Sequence, residues 1–72
     1  MNNRNQIIDT MSLYLEAQKN KHRLNVELLL DNPVGVAEHP DIMETIDQEL
    51  GKMAEYSDKL SMITELNRDE SW

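Results

Sequence analysis

Apolar residues recur along this chain at the three-and-four spacing of an α-helix, in two long stretches. In the first, from about Arg4 to Leu30, Ile7, Ile8, Met11, Tyr14 and Leu15 fall on one face, which resumes at Val26 and Leu29. Gln18, His22 and Asn25 carry the same stripe through its middle as polar residues. A second set, Leu13, Ala17, Leu24 and Leu28, lies on a different face. A helix that is apolar on two faces needs more than one neighbour, and a single partner helix from the same chain cannot cover both. The pattern therefore predicts that the protein associates with copies of itself or with another helical protein.

The stripe breaks at Asp31-Asn32-Pro33-Val34-Gly35-Val36-Ala37-Glu38-His39. Pro33 has no amide hydrogen and disfavours helix at Asn32, and Gly35 adds a permissive turn position. Helical signals return at His39-Pro40-Asp41. Pro40 suits a first helical position, or Asp41 caps the helix with Glu44 three residues on. Met43, Ile46, Leu50, Met53, Ser57 and Leu60 then form a heptad-like seam, widened by Ile42 and Ile63. Gly51 interrupts it at a cost of about 1 kcal/mol relative to alanine. The expected fold is all-α: a hairpin of two long antiparallel helices over residues 1–66, assembled into a coiled-coil-like bundle by oligomerisation. Its helices span about 4–31 and 40–66, with a linker over 32–39 and a flexible tail over 67–72. Antiparallel pairing would set Leu15 near Ser57, His22 near Leu50 and Leu29 near Met43. Met43, Ile46, Leu50, Met53 and Leu60, with Leu24 and Leu28 on the first helix, are the expected assembly residues. Met11, Met43 and Met53 are read as core fillers and Met62 as lying off the seam.

At 72 residues the chain can form one domain with a marginal core. Small domains need a staple, and with no cysteine and two histidines neither a disulfide nor a structural zinc site is expected. No apolar run approaches the ~20 residues of a membrane span, and the start lacks a secretory pattern. A soluble cytoplasmic protein with no cofactor is expected. The net charge of −7 falls entirely in the second half. Residues 1–31 balance four cations against four acids, whereas residues 32–72 set three cations against ten acids. That acidic half argues against direct DNA or RNA binding through phosphates.

Candidate chemistry is sparse. No paired carboxylates converge, and there is no phosphate-cradling glycine loop or nucleophile motif, so the chain reads as non-enzymatic. His22 is expected to bond an acid such as Asp47 or Glu49 on the partner helix, and the polar stretch Gln18–His22–Asn25 to specify register. An alternative ligand site would use Tyr14, Lys19, Lys21, His22 and Arg23, basic groups beside an aromatic that suit a phosphate and a stacked base. A further alternative is nucleic-acid mimicry by Glu38, Asp41, Glu44, Asp47, Glu55 and Asp58. Trp72 could dock on a neighbour.

The stretch Ala37-Glu38-His39-Pro40-Asp41-Ile42-Met43-Glu44-Thr45-Ile46, with Lys52-Met53-Ala54-Glu55-Tyr56-Ser57-Asp58-Lys59-Leu60, resembles short helical-hairpin proteins of large tailed bacteriophages. The resemblance covers about residues 24–63 and carries no catalytic motif. It implies an accessory protein acting in the cytoplasm of a bacterial host. In general shape the chain is also similar to the phage sponges that sequester cyclic-nucleotide immune signals, which implies a cyclic oligonucleotide as a possible ligand and a role in counter-defence. The leading expectation is a homo-oligomeric interaction protein that binds and modulates, or supports, another protein.

Overall fold

A computed structural model describes residues 3–32 and 41–67. They form two helices, α1 (Asn3–Asp31) and α2 (Ile42–Leu66), packed against each other as a hairpin. The expectations for most of the linker, for the tail beyond Asn67, for Glu38 and for Trp72 fall outside these residues.

Each helix starts or stops where local chemistry dictates. At the start of α2, Asp41 is the cap: its side-chain oxygen accepts from the Glu44 amide at 2.9 Å, and the Thr45 hydroxyl donates to the Asp41 carbonyl at 3.1 Å. A carboxylate there satisfies an otherwise unpaired amide and meets the positive end of the helix dipole. At the far end the Asn67 amide closes the last turn onto the Ile63 and Thr64 carbonyls. α1 ends at Asp31, and the Asn32 amide still reaches the Leu28 carbonyl at 3.0 Å.

The helices run antiparallel, as the bonds from Arg4 to the Leu66 carbonyl and from His22 to Glu49 require. The inward face of α1 is Ile8, Ser12, Leu15, Lys19, His22, Val26 and Leu29, and that of α2 is Ile42, Ile46, Glu49, Met53, Tyr56, Leu60 and Ile63. Both sets alternate steps of four and three, the repeat that keeps one stripe facing one partner. Counting in sevens from the His22–Glu49 bond sets Leu15 level with Tyr56, Ile8 with Ile63 and Leu29 with Ile42. Among the described residues only Ile8, Leu15, Val26 and Leu29 are buried, and every inward residue of α2 is half-buried.

The seam of α2 therefore differs from the one its sequence suggests. Ile46, Met53 and Leu60 face α1, but Met43 is 75% exposed, Leu50 is 48% exposed and Ser57 is exposed. Their places are taken by Ile42, Glu49 and Tyr56, one residue earlier in each heptad. Adjacent positions differ by about 100° around a helix, so both stripes fit the apolar pattern. Bulk favours the earlier track at Tyr56 over Ser57 and Ile63 over Thr64, and Glu49 gives His22 an acceptor that Leu50 could not. The same rotation leaves Met43 outside the core, and Met11 is exposed too, so neither is a core filler; Met53 is half-buried in the seam.

Gly51 lies on the exposed side of α2, and a Cβ built on it meets nothing within 4 Å. Close helix approach within the hairpin does not explain it. No described helix is long and apolar enough to cross a membrane.

Candidate functional site

The middle of the seam is polar, and the two helices bond to each other there. His22 Nδ1 lies 2.9 Å from Glu49 Oε1, and the Asn25 amide nitrogen donates to the same oxygen at 2.7 Å. One carboxylate thus ties together two residues of α1. The imidazole also stacks on Tyr56, with ring centroids 5.9 Å apart and planes 11° apart. Lys59 also lies over that ring, its ammonium 5.1 Å from the centroid. Lys59 in turn pairs with Glu55 at 3.0 Å, and Lys52 reaches Glu55 at 3.5 Å. Among the described residues no buried side-chain polar atom lacks a partner.

These contacts set the electrostatics. The bonds from His22 and Asn25, aided by the charges of His22 and Lys21, outweigh partial burial and hold the Glu49 carboxyl below the usual glutamate range. Lys59 and Lys52 likewise lower Glu55, and Glu55 raises Lys59. Both carboxylates are stabilised in their ionised form, which makes them weaker bases at neutral pH. The arrangement suits fixing a register: a shift of α1 along α2 by a turn would strand His22, Asn25 and Glu49 without partners. His22 meets Glu49, one of the two acids the sequence offers it.

The five residues of the alternative ligand site do not converge. Lys21 and Arg23 are roughly 200° apart around α1. Arg23 faces away from Tyr14 and pairs with Glu27 at 3.1 Å and Asn20 at 3.4 Å. Lys19 lies along the seam, and His22 is engaged by Glu49 and Tyr56. Tyr14 and Lys21 are exposed on the edge nearest Lys59 and Tyr56. Those two α2 residues extend the same edge and were not singled out from sequence, because only the antiparallel register brings them across. Of the acidic set, Asp41 is engaged as a cap and Glu55 by two lysines, while Glu44, Asp47 and Asp58 are exposed on α2. No group of three potential metal ligands occurs among the described residues.

One feature left over is apolar. Leu13, Leu24 and Leu28 are 72%, 51% and 67% exposed, and Ala17 is exposed between them. They share the face of α1 opposite the seam. Leu13 and Leu24 are eleven residues apart, as are Ala17 and Leu28. An eleven-residue repeat stays almost in line along a straight helix, so the four side chains form a straight stripe. Its two ends border α2: Leu13 lines a groove with Leu60 and Thr64, and Leu28 lines one with Thr45 and Glu49. A smaller apolar strip, Met43 and Leu50, flanks the seam on α2.

Comparison of the chain with protein-family models, curated proteins and solved structures finds no match.

Proposed function

We propose that this hairpin is a non-enzymatic interaction protein that works as a homo-oligomer and binds, modulates or supports another protein through its helical faces. The observation that carries the reading is the stripe Leu13–Ala17–Leu24–Leu28, exposed on a helix whose opposite face is already occupied by α2. Burial of a whole leucine side chain is worth about 1.5–3 kcal/mol, so covering three half-to-mostly exposed leucines offers several kcal/mol per chain. The four apolar residues buried among the described residues make a thin core, and small cysteine-free domains are commonly stabilised by assembly. The phage setting that the resemblance implies belongs to the same proposal: an accessory protein in a bacterial host cytoplasm.

Sedimentation velocity and native mass spectrometry over a concentration series test it. The wild-type protein is expected above the 8.4 kDa of a single chain, with mass rising with concentration. Leu24→Asp is expected to shift it to the single-chain mass. A wild-type protein that stays a folded single chain at high micromolar concentration overturns the proposal.

A further inference from the structure

Building on the proposed self-assembly, we infer that the partner of this stripe is the same stripe of a second copy, with the two α1 helices antiparallel about a two-fold axis that passes between Asn20 and Lys21. The spacing of the stripe is palindromic. Leu13 and Leu28 lie equally far from that midpoint, and so do Ala17 and Leu24. A two-fold contact is isologous, so a surface that reads the same in both directions fits itself. In this register Leu13 packs on Leu28 of the second copy, and the small Ala17 receives the large Leu24. Large-on-small pairing lets two helices approach closely without voids.

Charge fits the same register. Antiparallel helices bring each edge of the stripe against the same edge of the other copy. Glu16 and Arg23 share one edge, about 20° apart around the helix, and lie on opposite sides of the midpoint. Each Glu16 then falls within one turn of the second copy's Arg23, and the symmetry makes two such pairs. Arg23 already extends along that edge, held by Glu27 and Asn20, and its guanidinium carries five donors. Asn20 stands beside the axis, where a polar residue between apolar neighbours selects one register over slipped ones. Lys21 stands at the other edge, where its stem can cover a leucine while its ammonium stays in water. A parallel pairing of the same faces would set Leu24 on Leu24 and Ala17 on Ala17, and would put the two copies' Glu16–Arg23 edges on opposite sides of the contact, which loses both the size match and the charge match.

The chain has no cysteine, so introduced thiols report this geometry directly. A disulfide needs Cα atoms about 4.4–6.8 Å apart. Under mild oxidation the double variant Ala17→Cys/Leu24→Cys should go largely to covalent dimer, with Cys-containing peptides around 17 and 24 joined in the mass spectrum. Leu24→Cys alone should stay unlinked, because its two copies would lie about 10 Å apart along the axis at 1.5 Å rise per residue. Asn20→Cys, next to the axis, should link to its own copy. Circular dichroism confirms that each variant is helical, and all three positions are exposed in the hairpin. Ready linking of Leu24→Cys alone would show parallel pairing and overturn the register while leaving self-assembly intact. An assembled wild type whose double variant does not link would place assembly on another face. A single-chain wild type removes the underlying reading as well.

Discussion

The two faces of α1 make opposite use of one helix. The inward face repeats every seven residues, follows α2 along its length and carries Ser12, Lys19 and His22 among its apolar positions. The outward face repeats every eleven residues and holds Leu13, Ala17, Leu24 and Leu28, all of them exposed. Polar positions do not keep α2 from covering the inward face, because α2 supplies Glu49 for His22 and Asn25 and Tyr56 for His22. A polar seam that is fully satisfied fixes one arrangement, and it leaves the leucine stripe exposed.

The sharpest way to break this comparison is to truncate one leucine on each face. Leu15 is 4% exposed, whereas Leu24 is half-exposed on the opposite side. Leu15→Ala should lose stability at the low end of the about 2–5 kcal/mol typical for buried leucines, since the surrounding α2 side chains are only half-buried and can settle into the gap. It should lower the thermal midpoint at every protein concentration. Leu24→Ala should lower it by an amount tied to assembly, vanishing on dilution to the single chain. Equal, concentration-independent losses in both variants would mean that the outer stripe contributes within the hairpin rather than between copies.

A smaller effect sharpens the part of the comparison that rests on polar bonding. Glu49→Ala leaves His22, whose side chain is 12% exposed, and Asn25 without their acceptor. Stranding a largely buried polar group costs about 1–3 kcal/mol. The pH dependence follows from the sign of the shift. The folded-state carboxyl is held below its unfolded value, so the contribution is fully present above the ordinary glutamate range and is lost as pH falls through the lower folded value. Thermal midpoints measured between pH 6 and acid should therefore drop less steeply for Glu49→Gln than for the wild type, and the curves should converge at the acid end. Parallel curves would show that Glu49 titrates no differently in the folded chain.

Much of this organisation is legible in the residues. The helical spacing, Pro33 and the Asp41–Glu44 pair mark out two helices. His22 could be assigned an acidic partner because it interrupts an apolar stripe. The rotation of α2 was not legible, because Met43–Leu50–Ser57 and Ile42–Glu49–Tyr56 are adjacent heptad tracks that both satisfy a three-and-four rule. The basic cluster misled for a related reason: Lys19, Lys21, His22 and Arg23 are neighbours in sequence, and a helix sends consecutive side chains to different sides. Lys59 and Tyr56, which do join the edge of Tyr14 and Lys21, are close only after the chain folds back.

The smallest expected effect concerns Gly51, which sits within α2 on the exposed side, two residues from Glu49. Glycine in a helix interior costs about 0.8–1 kcal/mol relative to alanine, through the backbone freedom that it loses on folding. Here a Cβ would meet open space, so nothing in the hairpin offsets that cost. Gly51→Ala should raise the stability of the single chain by close to the full amount, seen as a higher thermal midpoint at a concentration where assembly is negligible. The gain should persist in the Leu24→Asp background, because the stripe on α1 and the outer side of α2 do not touch. A loss of stability confined to the assembled wild type would carry a different meaning: a neighbouring chain packs against the bare backbone at Gly51, and α2 as well as α1 lies at an interface.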